Sequence, residues 1–272
     1  MWAHRVTPVS AVTLSVADGL ATIELNRPDA LNAWNQDLGE ELLAAVRSVE
    51  SDDGVRAVLV RGAGRAFSSG ADLKDMGTGR QLTPEGHVDV RTTLMERYHP
   101  IITGIRHMPK PVVAAVHGPA VGIGLSLALS CDLIIAAESA YFLLAFVNIG
   151  LVPDGGSSLF VPTRVGFARA TEMAMLGERI AAPQALEWGL VNRVVPDAEF
   201  EAEAQALARR LADGPTRSYA GTKRQLNNWL YARMDEQLSL EADIQQEMAA
   251  TGDFAEGVMA FVQRRAAGFQ GA

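Results

Sequence analysis

Three stretches of this 272-residue chain place chemically useful groups at turns. The first is Gly62-Ala-Gly-Arg-Ala-Phe-Ser-Ser-Gly-Ala-Asp-Leu-Lys74, in which Gly70 permits a turn that leaves the Ala71 amide facing open space just before a short helix. The second is Gly118-Pro-Ala-Val-Gly-Ile-Gly124, between a strand and a helix, with a second exposed amide expected at Ile123 near the positive end of that helix. Free amides at a helix start bind anions and developing oxyanions, so two such donors converging on one carbonyl oxygen would stabilise an enolate. The third is Leu151-Val-Pro-Asp-Gly-Gly-Ser-Ser158. Its approach is apolar, through Phe142, Leu143, Leu144, Phe146, Val147, Ile149, Leu151 and Val152. A carboxylate among such residues tends toward a raised pKa, suited to taking and returning a carbon-bound proton. Ordinary turn chemistry accounts for each stretch taken singly, Pro-Asp-Gly included.

Other chemistries find less support. Gly122-x-Gly124 lacks the third glycine of a dinucleotide fingerprint, since Leu127 stands there. His4, His87, His99, His107 and His117 show no metal-ligand spacing, so no metal site is expected. Ser126 sits in Gly-Leu-Ser-Leu-Ala, which is not the nucleophile elbow of a serine hydrolase. Arg27, Arg61, Arg65 and Lys74 scatter around the early loops, where they either grip a polyphosphate or form a solvated face. With 24 basic and 32 acidic residues the net charge is −8, which argues against nucleic acid as a partner. Cys131 is the only cysteine, and residues 1–10 carry no apolar run, so a cytoplasmic location is expected. The apolar stretch 111–137 is interrupted by Gly118, Pro119, Gly122 and Gly124 and contains His117 and Asp132; it reads as buried core rather than a membrane span.

The groups above must be held by an α/β framework. Residues 12–16 and 21–25 flank Asp18-Gly19 as a hairpin-like pair, and 55–61, 112–116 and 133–137 read as strands. Helical spacing marks 35–50, 88–108 and 125–130, while the polar stretch 74–85 reads as a mobile loop or lid. Beyond Pro196 strand signals vanish, and 201–213, 221–251 and 253–267 are helical, the last opened by Asp253-x-x-Glu256 in the layout of a capping box. The expected organisation is a core of strands and helices over 1–200 and a helical piece over 201–272.

Read in order, Asn26-Arg-Pro…Ala30-Leu-Asn-Ala33, Arg65-Ala-Phe-Ser-Ser-Gly-Ala-Asp-Leu-Lys74 and Lys110-Pro-Val-Val-Ala-Ala-Val-His-Gly118 resemble the crotonase (enoyl-CoA hydratase/isomerase) superfamily. So do Cys131-Asp-Leu-Ile-Ile-Ala136, Gly150-Leu-Val-Pro-Asp154 and Gly189-Leu-Val-Asn-Arg-Val-Val195. The resemblance implies a spiral of ββα units with a C-terminal helical trimerisation region, assembled as a trimer or a dimer of trimers. It implies an acyl-CoA thioester as ligand, CoA being part of the substrate, with no separate cofactor. It assigns the oxyanion hole to the amides of Ala71 and Ile123. CoA contacts would come from Arg27, Leu31, Ala33, Asp72, Leu73 and Lys74, with Phe261 and Arg264 reaching in from a neighbouring chain. The two glutamates of the hydratase pattern fall on Ser126 and Phe146, neither of which exchanges protons as a carboxylate does. Ala145-Phe146 and Asp154 after Pro153 resemble instead the Δ3,Δ2-enoyl-CoA and ring-1,2-epoxyphenylacetyl-CoA isomerases of the family. The 4-chlorobenzoyl-CoA dehalogenases also carry an aspartate there, with a histidine base that His87 or His99 would have to supply. The expected activity is therefore isomerisation of an acyl-CoA, with Asp154 as acid and base; hydration, hydrolysis, dehalogenation or binding without turnover are the alternatives.

Overall fold

The computed structural model describes residues 10–73 and 82–272. Lys74 and most of the loop expected over 74–85 lie outside the described residues. Strands β1 (Val12–Ala17) and β2 (Leu20–Leu25) close antiparallel around Asp18-Gly19. From β2 the main sheet continues in parallel through β3 (Ala57–Gly62), β4 (Val112–Val116), β6 (Leu133–Ala137) and β9 (Arg193–Val195). A second sheet is made of β5 (Pro119–Val121), β7 (Tyr141–Leu143) and β8 (Ile180–Ala181). Strands β4 and β6 of the main sheet each pass directly into a strand of the small sheet and then a helix. The sequence is β4, β5 and α4 (Ile123–Ser130), then β6, β7 and, after a turn, α5 (Ser157–Val165). This repeated ββα unit is the architecture that the resemblance implies.

The main sheet is apolar on both faces, as expected of parallel strands covered by helices. Val58, Val60, Val112, Ala114, Val116, Ile134 and Ala136 face the large core, shared with α1 (Gln36–Ser51) and α4. The alternate residues Ala57, Leu59, Val113, Ala115, Ile135 and Ala137 meet Phe200, Ala204, Leu207 and Ala208 of α8 (Phe200–Ala212). Helix α1 begins where the sequence says it should: Asn35 Oδ1 accepts the Leu38 amide at 3.0 Å, and Leu38, Leu42, Val46 and Val49 are buried.

Several elements differ from the sequence reading. The helix expected over 88–108 is α2 (Val90–Thr93), a π turn over Leu94–Tyr98 and α3 (His99–His107), because Pro100 has no N–H with which to continue a regular ladder. The helix expected over 221–251 is two, α9 (Thr216–Leu230) and α10 (Met234–Ala249). The break at 231–233 lets Tyr231 turn inward, edge-on to Phe160 at 5.3 Å, with its hydroxyl 3.0 Å from Thr163 Oγ1. Helices α6 (Phe167–Leu176) and α7 (Ala182–Trp188) had no counterpart in that reading. The capping box at Asp253 is also corrected. Thr251 caps α11 (Gly252–Gln263) by accepting the Phe254 amide, while Asp253 accepts the Gln270 and Gly271 amides and Glu256 pairs with Arg265. A hydroxyl one residue before the helix reaches the orphan donor, and the acids hold the C-terminal tail instead. Among the described residues, no helix is long and apolar enough to cross a membrane.

Candidate active site

Two loops that follow strands of the main sheet run side by side. Ser68 pairs in parallel with Ala120, its amide donating to Pro119 O at 3.0 Å and its carbonyl accepting the Val121 amide at 3.0 Å. Three residues further along each segment stand Ala71 and Ile123. Gly70 (φ +89°) passes so close that a Cβ there would lie 2.8 Å from Val121 O, which excludes any side chain. On its other side this loop meets Trp34, whose amide donates to Gly70 O and whose carbonyl accepts the Asp72 amide. In such a parallel pair the residue between, Ala71, points its own N–H away from the partner strand. That amide has no acceptor among the described residues, and the Ile123 amide is the first of α4, beyond the reach of any helical carbonyl.

The turn that carries Asp154 sits against Ile123 through Gly155. A Cβ on Gly155 (φ +61°) would fall 2.5 Å from Ile123 Cδ1 and 3.0 Å from Ser126 Cβ, so the Asp154-Gly155 turn lies directly on the first turn of α4. Its backbone is clamped: Asp154 O accepts the Ser126 and Ser157 hydroxyls, each at 2.8 Å. The residue is 7 % exposed, and Oδ1 has no hydrogen-bond partner among the described residues. Oδ2 accepts Gln245 Nε2 at 2.7 Å. Burial pushes the carboxyl up to about 7, against the opposing hydrogen bond from Gln245 and with a smaller upward push from Glu241. The Phe146 ring closes the same corner, with Cζ 3.8 Å from where a Gly122 Cβ would be.

The sequence reading expected a helix here but missed its part in the site. Gln237, Glu241 and Gln245 recur at four-residue spacing on α10 and face the 152–158 loop. Glu241 accepts the Gly156 amide at 2.8 Å and the Ser158 amide at 3.1 Å, and also the Ser158 hydroxyl, to which Gln237 donates. Its own carboxyl is raised to about 7 by burial, despite those bonds. The available signal was that spacing: three polar residues repeating beside Leu238, Ala242 and Ala249, the apolar positions of the helix.

The segment carrying Arg27, Leu31 and Ala33 is brought alongside this loop, with Ser69 donating to Leu31 O at 2.9 Å. Leu31 and Asn32 are both left-handed (φ +53° and +54°), and Asn32 holds that bend with bonds to Ala63 O, Ala66 O and the Arg27 amide. Arg27 ion-pairs with Asp72 at 3.0 Å and also donates to Ala33 O. Leu73 is half-buried beside Asp72. Lys74 lies outside the described residues. Arg61 is committed elsewhere, to Glu24 and Glu201. Phe261 and Arg264 are exposed at the end of α11 and, among the described residues, share no hydrogen bond or ion pair with the site. His87 is exposed, whereas His99 is buried with neither ring nitrogen partnered among the described residues, its pKa lowered to about 4 by desolvation.

A model of the enoyl-CoA hydratase/isomerase family matches residues 15–272. A "Probable enoyl-CoA hydratase" of Rhodobacter capsulatus is 42 % identical over 260 residues, covering 96 % of this chain and 98 % of that protein. The 1,2-epoxyphenylacetyl-CoA isomerase of Escherichia coli is 40 % identical over 257 residues, or 94 % of this chain and 97 % of that one. An enoyl-CoA hydratase structure from Mycobacterium avium subsp. paratuberculosis superposes with a TM-score of 0.86 at 39 % identity, covering 97 % of this chain and 100 % of its own. By sequence and by fold, this chain belongs to the enoyl-CoA hydratase/isomerase family.

Proposed function

We propose that this enzyme is an acyl-CoA isomerase in which Asp154 moves a proton between two carbons of a thioester enolate. The observation that carries the reading is the buried Asp154 carboxyl, one oxygen held and the other without a partner among the described residues, on a turn that packs against the helix start presenting the Ile123 amide. The thioester oxygen would lie between the Ala71 and Ile123 amides, each worth about 3–4 kcal/mol of transition-state stabilisation in comparable sites. Asp154 takes a proton α or allylic to the carbonyl: the C–H bond breaks, an O–H bond forms on the carboxylate, and the electron pair spreads to the thioester oxygen. Returning the proton to another carbon restores the carboxylate and shifts the double bond; with a ring epoxide the electron pair instead breaks an epoxide C–O bond, and the proton passes from Asp154 to the alkoxide oxygen so released. The chemistry is redox-neutral and draws only on the thioester, CoA included.

Hydration is disfavoured by the side chains at the two positions matched to the hydratase glutamates. Ser126 is fully buried and spends its hydroxyl on the Asp154 carbonyl, while Phe146 presents an apolar ring beside Gly122. Likeness to the Escherichia coli isomerase supports the reading; likeness to proteins named hydratases is likeness to a family that includes both. Leu31, Ala33, Asp72, Leu73 and Lys74 would line the CoA path, with Arg27 orienting Asp72. Phe261 and Arg264 would serve a neighbouring subunit of a trimer or dimer of trimers.

The test is incubation with 2-enoyl-, 3-enoyl- and arylacetyl-CoA esters in deuterated water, followed by mass spectrometry. Deuterium incorporation with a shifted double bond is expected, and Asp154→Asn should abolish it. Water addition, free CoA or halide as the main product would overturn the assignment, as would full turnover by Asp154→Asn.

A further inference from the structure

We propose that Gln245 is the positioning residue of the site: from the C-terminal helix α10 it holds Asp154 Oδ2, leaving Oδ1 as the oxygen that exchanges the substrate proton. This rests on the reading of Asp154 as acid and base and deepens it.

Gln245 is 2 % exposed and both ends of its amide are spoken for. Oε1 accepts the Val152 amide at 3.1 Å, and Nε2 donates to Asp154 Oδ2 at 2.7 Å. Because the Val152 amide is a donor, the amide orientation has one solution: oxygen toward Val152, nitrogen toward Asp154. One side chain thus grips both sides of Pro153. Ser126 and Ser157 hold the Asp154 main-chain carbonyl, which fixes the backbone from which the carboxyl projects. The oxygen that accepts an N–H is better kept as the carbonyl, a stronger acceptor than the hydroxyl oxygen of a neutral carboxyl. The proton that Asp154 receives is therefore favoured on Oδ1, which has no hydrogen-bond partner among the described residues.

The same bond favours the charged carboxylate, opposing the burial around it. Glu241, one turn earlier on α10, is the titratable group that pushes Asp154 upward, and its own carboxyl is raised by burial; Ile123 and Ser126 of α4 and Ser157 of α5 bring no charge. Helix α10 thus both orients the acid and tunes it, which ties the chemistry to a segment 91 residues away in sequence.

The test compares Gln245→Leu, Gln245→Glu and Gln246→Leu with the wild type in rate against pH. Gln246 is the control, since it bonds the Val88 carbonyl and the Val90 and Arg91 amides from the same helix. Gln245→Leu is expected to lower kcat about 10- to 100-fold with KM changed less than about threefold, and to move the acid limb upward in pH. Gln245→Glu, which keeps the shape but adds an anion above its own titration, should move that limb further still. Gln246→Leu should lose comparable thermal stability while keeping the wild-type pH limb. A wild-type limb in both Gln245 variants would overturn the proposal, as would an equal shift in Gln246→Leu. Asp154→Asn, measured alongside, separates the two claims. If it turns over normally the acid–base reading itself fails; if it is dead while Gln245→Glu behaves as wild type, only the positioning role fails.

Discussion

Replacing Asp154 with asparagine keeps the side-chain volume and an oxygen for Gln245 while removing the charge, so it should stabilise the protein as it destroys the activity. In the folded chain the carboxyl titrates at about 7, against 3.8 when free, because burial penalises the anion. An acid with a raised folded pKa holds its proton more tightly when folded. Its contribution to stability is therefore complete below about pH 4 and is lost as pH rises through about 7. At 1.36 kcal/mol per unit, that shift sets a ceiling of about 4 kcal/mol on the cost of the charged form above neutrality. Part of the cost is already present at pH 5, so between pH 5 and pH 8 the gap between variant and wild type should widen by about 2–3 kcal/mol. Water drawn in around the ionised carboxylate would reduce this to about 1 kcal/mol. Thermal unfolding at the two pH values would register it as a relative gain of roughly 2–4 °C or more for Asp154→Asn at pH 8. Parallel melting temperatures across that range would show that the carboxyl is not desolvated, and the case for a base poised near neutrality would fall with it.

Two further outcomes follow from the same geometry. Ser126→Ala removes the hydroxyl that holds the Asp154 carbonyl; it should cost about 1 kcal/mol in chemical denaturation and lower kcat several-fold with KM unchanged. A wild-type kcat would detach Ser126 from the placement of the acid. Ala71→Pro deletes one amide donor, and initial rates should fall about 10²- to 10³-fold while CoA-ester affinity measured calorimetrically is kept. Unchanged turnover would remove Ala71 from the oxyanion site.

Much of the framework was legible because its signals are local. The buried face of α1, the Asp18-Gly19 hairpin and the strands 112–116 and 133–137 follow from spacing and turn residues that act over a few positions. The same locality misled at three points. Helical spacing through 221–251 conceals the break that buries Tyr231, the long helix over 88–108 does not announce the π turn before Pro100, and Asp253-x-x-Glu256 has the pattern of a cap while serving the C-terminal tail. At Tyr231 and at Asp253 a contact from elsewhere in the chain outweighs the local preference, whereas at the π turn Pro100 itself interrupts the ladder.

For the site, the amino-acid sequence alone determined which groups are available: two glycine-rich turns that free backbone amides, an aspartate after a proline, and serine and phenylalanine at the positions matched to the hydratase glutamates. Only the tertiary structure decided the state of that aspartate. Desolvation depends on everything packed around a group, and the bond from Gln245 spans 91 residues, so neither is written in the neighbourhood of Asp154. Pairing of Ser68 with Ala120 likewise sets the two amide-bearing loops side by side, a register that neither loop specifies by itself.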